Sequence, residues 1–159
     1  AGPIGGLNQQ GDYPIDCRFN KPRLISQIQK IGEHKRYIQI CNLEALDFIE
    51  DIILRKKKSF IFFDPPYYSK GPGLYANFYS HGDHANLANT IVQRLKNRKW
   101  IVTYDNVNAI KSMYAKIPSI EFELQYTLQA KRSSSEVMFF SKNVLRPRNE
   151  SELINILER

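Results

Sequence analysis

The pattern of apolar and polar positions changes period several times along the chain, and each change marks an element. After Asn20-Lys21-Pro22, Leu24, Ile25, Ile28 and Ile31 recur at helical spacing until Gly32, which predicts a first helix. Residues 37–41 read as a strand. From Asn42, a candidate cap, Leu46, Ile49 and Ile53 form a second helical stripe that runs into the basic segment 55–58. Residues 59–63 are a short apolar run of the kind buried on both faces of a parallel sheet. Residues 67–82 are aromatic, punctuated by Gly and Pro, and fit neither period, which predicts a long loop of the sort that often carries function. Asp83 stands where it can cap a helix with Leu87, Ala88, Ile91, Val92 and Leu95 on one face, leading into a strand over 100–104.

A short helix carrying Ile110, Met113 and Tyr114 comes next. Strict alternation follows, with Ile120, Phe122, Leu124, Tyr126 and Leu128 set against Glu121, Glu123, Gln125, Thr127 and Gln129, the mark of a half-exposed strand. Residues 132–135 read as a turn-rich link to a last strand over 136–141, so these two strands form an antiparallel hairpin. Residues 151–159 have helical spacing but are too few to hold a helix unless they dock. The sum is an α/β domain: a mostly parallel sheet that ends in an antiparallel hairpin.

Composition narrows the class. A chain of 159 residues with 25% charged and 42% apolar positions reads as one ordinary soluble domain, which needs neither a disulfide framework nor a metal staple. The apolar runs are too short to span a bilayer, and the first six residues lack the basic start and apolar stretch of a secretory signal. Cys17 and Cys41 lie far apart without CxxC spacing, which predicts two reduced thiols in a cytoplasmic protein. Twenty-three Lys and Arg against sixteen Asp and Glu leave a net charge of +7, which favours a polyanionic partner, nucleic acid first. The cations cluster at 55–58, 94–99, 131–132 and 146–148. For the first two clusters, a simple complement to helix C-termini is an equal reading.

In a parallel α/β sheet ligands bind beyond the carboxyl ends of the strands, so the residues where each apolar run stops are informative. All three stops are polar: Asn42, Asp64, and Asp105 with Asn106. Asn42 and Asn106 serve equally as helix caps. Asp64-Pro65-Pro66-Tyr67 is different, because consecutive prolines make a stiff, extended backbone without N–H groups whose carbonyls are free to accept. A carboxylate, a carbonyl and an aromatic ring in this order suit a planar ring bearing an amino group. The adenine amine is a poor nucleophile because its lone pair is delocalised. Two acceptors that draw its hydrogens out of plane localise that pair and stabilise the positive charge that develops as the nitrogen attacks an alkyl donor.

Residues 60–67, Phe-Ile-Phe-Phe-Asp-Pro-Pro-Tyr, resemble the catalytic motif of amino-methyltransferases that use S-adenosylmethionine. Chance occurrence of the four-residue core in a chain of this size is on the order of one in a thousand. The surroundings narrow the resemblance to Dam-like DNA adenine methyltransferases: residues 8–13 and 17–21, Leu74-Tyr75, Asp83-His84 with Leu87-Ala88, and residues 100–106 are similar to that family, and the likeness runs over most of 2–141. It implies a Rossmann-like methyltransferase sheet. It also implies S-adenosylmethionine as cofactor and double-stranded DNA as partner, with Asp64 and the Pro65 carbonyl holding the target amine, Pro66 stiffening the motif and Tyr67 stacking on an adenine flipped from the duplex. Asn42, Leu43 and Asp64 are the implied cofactor contacts, and Tyr68, Lys70, Tyr75, Lys131 and Arg132 the implied DNA contacts. Residues 1–20 correspond to the end of a target-recognition region, 21–145 to the catalytic portion and 146–159 to a tail helix.

The family's Phe-x-Gly-x-Gly turn and the first strands of its sheet have no counterpart in these residues. The glycines at 2–6 follow no strand and have the wrong spacing for such a turn. The chain therefore reads as a C-terminal portion whose partner is an N-terminal half of the same protein. Two other readings stay open: the same chemistry on a cytosine amine, on RNA or on a protein amide, and a silent domain that binds DNA or another chain. His81 and His84 have a spacing open to zinc, but with no third ligand in view a loop and cap role is favoured over a metal site. Tyr75, Phe78 and Tyr79 either line a base or cover the sheet, and Trp100 is assigned to the core. On this reading the chain alone binds S-adenosylmethionine weakly or not at all, and calorimetry at millimolar cofactor showing tight binding would overturn it.

Overall fold

The computed structural model describes residues 8, 10–13, 16, 17, 19–69, 71, 78–126, 132–148, 151 and 152, with 124–126 and 132–134 described by their backbone alone. The chain forms two compact units, Ala1–Asn42 and Leu43–Arg159. In the first, α1 spans Lys21–Glu33. The Asn20 side chain accepts from the Arg23 N–H at 3.1 Å, and a proline sits in the first turn, where a missing N–H costs no helical bond. No residue of α1 is buried, although Leu24, Ile25, Ile28 and Ile31 share a stripe. A 3-10 turn, Lys35–Tyr37, follows.

The strand expected over 37–41 is not formed. Ile38 is extended, but the segment joins no ladder among the described residues, and Ile40 is 90% exposed. An extended segment without a hydrogen-bonded neighbour has no sheet to belong to. Cys17 and Cys41 are free thiols, the first exposed and the second half-buried.

The second unit opens with α2, Ala45–Phe48, which runs on as a π-helical turn, Ile49–Ile53, closed by Leu54 N–H to Ile49 O at 2.9 Å. Glu44, not Asn42, precedes its first turn, and no side chain caps it. Then come β1 (Phe60–Phe63), α3 (His81–Arg94), β2 (Lys99–Asp105), α4 (Asn108–Met113), β3 (Ser119–Tyr126) and β4 (Arg132–Phe140). The sheet order is β1-β2-β4-β3. β1 and β2 are parallel, while β4 runs antiparallel to both β2 and β3.

The unit is therefore α/β with a mixed four-strand sheet. The antiparallel hairpin is present as expected, but only one of the three described pairings is parallel, because β4 returns between β2 and β3. Residues 132–135, expected as a turn, belong to β4, where Ser135 pairs with Glu123 and Arg132 with Tyr126.

Alternation along the strands divides the sheet into two faces. Ile61, Trp100, Val102, Tyr104, Val137 and Phe139 meet the helices in the main core, with Ile49, Leu87, Ile91, Leu95, Ile110 and Tyr114. Trp100 is buried as assigned, its indole N–H donating to Leu95 O at 3.1 Å. Phe122, Met138 and Phe140 form a smaller cluster on the other face with Ile101, Ile120 and Val144. Phe62 pairs with Ile101 and so lies on this second face, as does Phe60. Both are more than half exposed, which corrects the expectation of a strand buried on both sides: β1 is an edge strand, and among the described residues its second face lacks a full cover.

The basic clusters at 55–58 and 94–99 are partly structural. Arg98 donates to the carbonyls of Leu54, Lys56 and Lys57 at the end of the α2 segment, Arg94 pairs with Glu50 at 2.7 Å, and Arg55 pairs with Asp51. Carbonyl groups at a helix C-terminus favour a cation there. Among the described residues no helix is long and apolar enough to cross a membrane.

The start of α3 also differs from expectation. Ser80, not Asp83, is its cap: the Asp83 N–H donates to Ser80 Oγ, and the Ser80 N–H donates to Asp83 Oδ2 at 2.8 Å, a reciprocal box. Replacing Ser80 with alanine should cost about 1 kcal/mol. In a chain of this size a thermal melt should then fall by about 2–4 °C.

Candidate functional site

The parallel pairing fixes the geometry of the rim. Phe63 lies level with Val102, so the two chains leave β1 and β2 side by side, with Asp64 beside Thr103. The Thr103 hydroxyl donates to Asp64 Oδ1 at 3.0 Å and lies 3.4 Å from Phe63 O. Thr103 is buried, whereas Asp64 is exposed. One carboxylate oxygen is thus oriented from the sheet while the group as a whole faces solvent.

Pro65 and Pro66 have no N–H, so the first backbone donors after the motif's acid belong to Tyr67, Tyr68 and Ser69. Two of them find one partner: the N–H groups of Tyr68 and Ser69 donate to Asp105 Oδ1 and Oδ2, each at 2.8 Å. Asp105 is 5% exposed, so its charge is compensated by these two bonds rather than by water. The Tyr67 hydroxyl donates to Glu136 Oε1 at 2.8 Å, and the Gly71 N–H donates to Tyr67 O at 3.0 Å. Asp105 and Glu136 are register partners on β2 and β4. Three adjacent strands therefore contribute to holding one motif: β1 carries it, β2 orients its acid and its loop, and β4 holds its ring.

Behind the motif lies an aromatic cluster. The Tyr68 hydroxyl meets His81 Nδ1 at 2.8 Å, and the Tyr68 ring packs on His81 and on His84. His84 is buried, with Nδ1 3.0 Å from the Tyr104 hydroxyl and the Tyr79 ring alongside. Burial pushes the Tyr104 and Tyr114 hydroxyls well above the ordinary phenol value. His81 and His84 act here in aromatic packing and hydrogen bonding, and no group of three potential metal ligands occurs among the described residues.

A cavity of 410 Å³ opens between the starts of α2 and α3. It is lined by Glu44, Leu46 and Asp47 on one side and by Phe78, Tyr79 and Asn86 on the other, with Ala45, Asp83 and Leu87. Its wall mixes apolar and aromatic side chains with nearly as much polar surface, three acids among it, and its size falls in the range of small-molecule pockets. Phe78 and Tyr79 thus have a place in the cavity wall.

The structure brings Asp64, Pro65, Pro66 and Tyr67 together as one motif at the rim, Asp64 exposed and the other three half-buried. Leu43 directly precedes the cavity residue Glu44, and Asn42 is exposed at the end of the first unit. Of the implied DNA contacts, Tyr68 is half-buried with its hydroxyl held by His81, Arg132 has only its backbone described, in β4, and Lys70, Tyr75 and Lys131 lie outside the described residues.

Asn106 is a tie between strands rather than a helix cap: its Nδ2 donates to Glu121 Oε2 at 2.7 Å and to Ser135 Oγ at 2.9 Å, and Val107 precedes α4. Lys111 adds an ion pair to Glu121, and the hydrogen bonds from Asn106 and from Lys111, with the cation's charge, hold the Glu121 carboxyl below its ordinary value. Sequence reasoning passed over Thr103 and Glu136 and took Asp105 only as a polar strand end. The one available signal for Glu136 was an acid placed at the head of an apolar strand. No family model matches the chain, and no curated protein matches it either.

Desolvation lowers the His84 pKa from its ordinary 6.5, against the opposing pull of Asp105 and Asp83. Nε2 is buried with no partner among the described residues, so charging the ring would bury an unanswered donor. A base whose folded pKa is depressed is taken up by protons more readily in the unfolded chain. Its contribution is therefore complete above about pH 6.5 and declines as pH falls towards the lowered folded value. Denaturant unfolding between pH 7.5 and 5.5 should show stability falling with pH, with the slope reduced in His84→Gln.

Proposed function

We propose that this chain carries the amine-holding part of the active site of a Dam-like adenine methyltransferase acting on DNA. The observation that carries the reading is the motif at the rim: an exposed carboxylate, oriented by a buried hydroxyl, followed by two prolines and a ring anchored by its own hydroxyl. The α/β sheet with its C-terminal antiparallel hairpin agrees with the Rossmann-like methyltransferase sheet that the resemblance implies.

In this reading Asp64 and the Pro65 carbonyl accept the two N–H bonds of the exocyclic amine, and Tyr67 lies against the face of the base. Thr103 occupies Asp64 Oδ1 from below, which fixes the plane of the carboxylate and leaves Oδ2 without a hydrogen bond among the described residues. Holding the amine this way turns its lone pair towards the methyl donor and stabilises the charge that builds on nitrogen. S-adenosylmethionine supplies the activated methyl group when bound. The N–C bond forms as the S–C bond breaks, and the methylated nitrogen then sheds a proton to water, so Asp64 need not be a strong base. The protein's part is alignment, which can remove about 7–11 kcal/mol of barrier.

The cavity beside Leu43 suits the cofactor's adenosine portion: Phe78, Tyr79 and Leu87 offer surfaces for a planar ring, and Glu44 and Asp47 offer acceptors for hydroxyl and amino groups. Net charge of +7 supports a polyanionic substrate, although Arg98, Arg94 and Arg55 already have partners within the chain.

The test is methyl incorporation from labelled cofactor by this chain joined to the upstream cofactor turn that the resemblance implies. DNA adenine should be labelled in preference to cytosine, RNA or protein. Asp64→Ala should lower the rate about 10²- to 10³-fold with little change in cofactor affinity. Unchanged labelling in that variant removes the reading.

A further inference from the structure

Tyr67 is pinned from a distant part of the chain. Its partner, Glu136, lies 69 residues later on the returning strand β4, is 6% exposed, and accepts the phenol proton at 2.8 Å. A tyrosine whose only task is to offer a π face needs no hydroxyl, since phenylalanine offers nearly the same face. The bond joins the motif's one aromatic ring to a sheet position set by the Asp105–Glu136 register, while Asp105 holds the next two residues by their backbone. The phenol oxygen lies on the axis about which the ring turns, so the bond fixes where the Tyr67 side chain points, while the backbone just beyond it is held at Tyr68 and Ser69.

We propose that Glu136 is a positioning residue that holds the Tyr67 side chain in the direction that brings its ring to a base bound at Asp64. It does not touch the base. It removes the swing of the side chain in the free protein, so that stacking does not have to order it when the base arrives. The proposal rests on the reading of the rim as a site for an amino-bearing base.

The test uses the full chain and a short single-stranded oligonucleotide with one 2-aminopurine, whose emission falls when its ring stacks on an aromatic side chain. The wild-type chain should quench it. Tyr67→Ala should abolish quenching and weaken binding about 5- to 150-fold, the range for loss of one stacked base. Tyr67→Phe and Glu136→Ala should each weaken binding about 2- to 12-fold, the range for one hydrogen bond. Combining them should be no worse than the weaker-binding single variant, because both remove the same contact. Glu136→Gln, which keeps an acceptor, should restore most of the quenching.

A general structural role for Glu136 would give additive losses in the cycle, no rescue by glutamine and reduced thermal stability in step with lost binding. That outcome overturns the proposal. So does quenching that depends on Tyr67 but is indifferent to Glu136, and in that case the reading of the rim stands. Absence of quenching in the wild-type chain overturns the reading and the proposal together.

Discussion

The rim depends on a single buried carboxylate. Asp105 leaves β2 at the point where the post-motif loop must pass, and both of its oxygens are taken by that loop's N–H groups. The two prolines remove donors where the loop begins, so such a clamp can act only beyond them, and it takes the N–H groups of Tyr68 and Ser69. A hydrogen bond to an ionised group is stronger than a neutral one, and removing the carboxylate would leave two backbone donors unanswered in a partly buried setting. The stiffness of the motif comes from its prolines. The position of the loop that leaves it comes from Asp105.

The parallel β1·β2 pairing is what allows this arrangement. Because both chains exit in the same direction, an acid, a hydroxyl and a second acid arrive at one rim from adjacent strands. The antiparallel return of β4 then delivers Glu136 beside Asp105, at the start of its run rather than at the end. The main core sits on the opposite face, under α2, α3 and α4, so the helices support the strands without covering the residues that hold the motif. The second cluster, built on Phe122, Met138 and Phe140, supports the same sheet from the face that carries Thr103, Asp105 and Glu136.

Much of this was legible in the residues. The helix starts with capping chemistry, as at Asn20, and the strands with clean alternation, as at 120–126, appear where their local signals place them. Local signals failed where the outcome depends on a neighbour. Residues 37–41 have strand composition but no ladder to join, and Phe60 and Phe62 have the composition of a doubly covered strand but an open face. Asp83 and Ser80 both look like caps, and only the backbone path decides that serine is the cap and aspartate its reciprocal partner. Within the motif Asp64 and Tyr67 could be read from type and order. Thr103 and Glu136 could not, because their roles come from strand register, which joins positions 39 and 69 residues away.

The open side of β1 has a consequence of its own. A short strand whose outer edge is unpaired among the described residues, with two half-exposed phenylalanines beside it, is adhesive, and a second copy would find room to stack on it edge to edge. The segment just before it carries Arg55, Lys56, Lys57 and Lys58, all exposed. Two such edges brought together in parallel would crowd eight cations into a small space, a repulsion that opposes stacking. Against that approach the basic run would be a gatekeeper for the strand, its guard strongest in dilute buffer and fading as salt screens the charges.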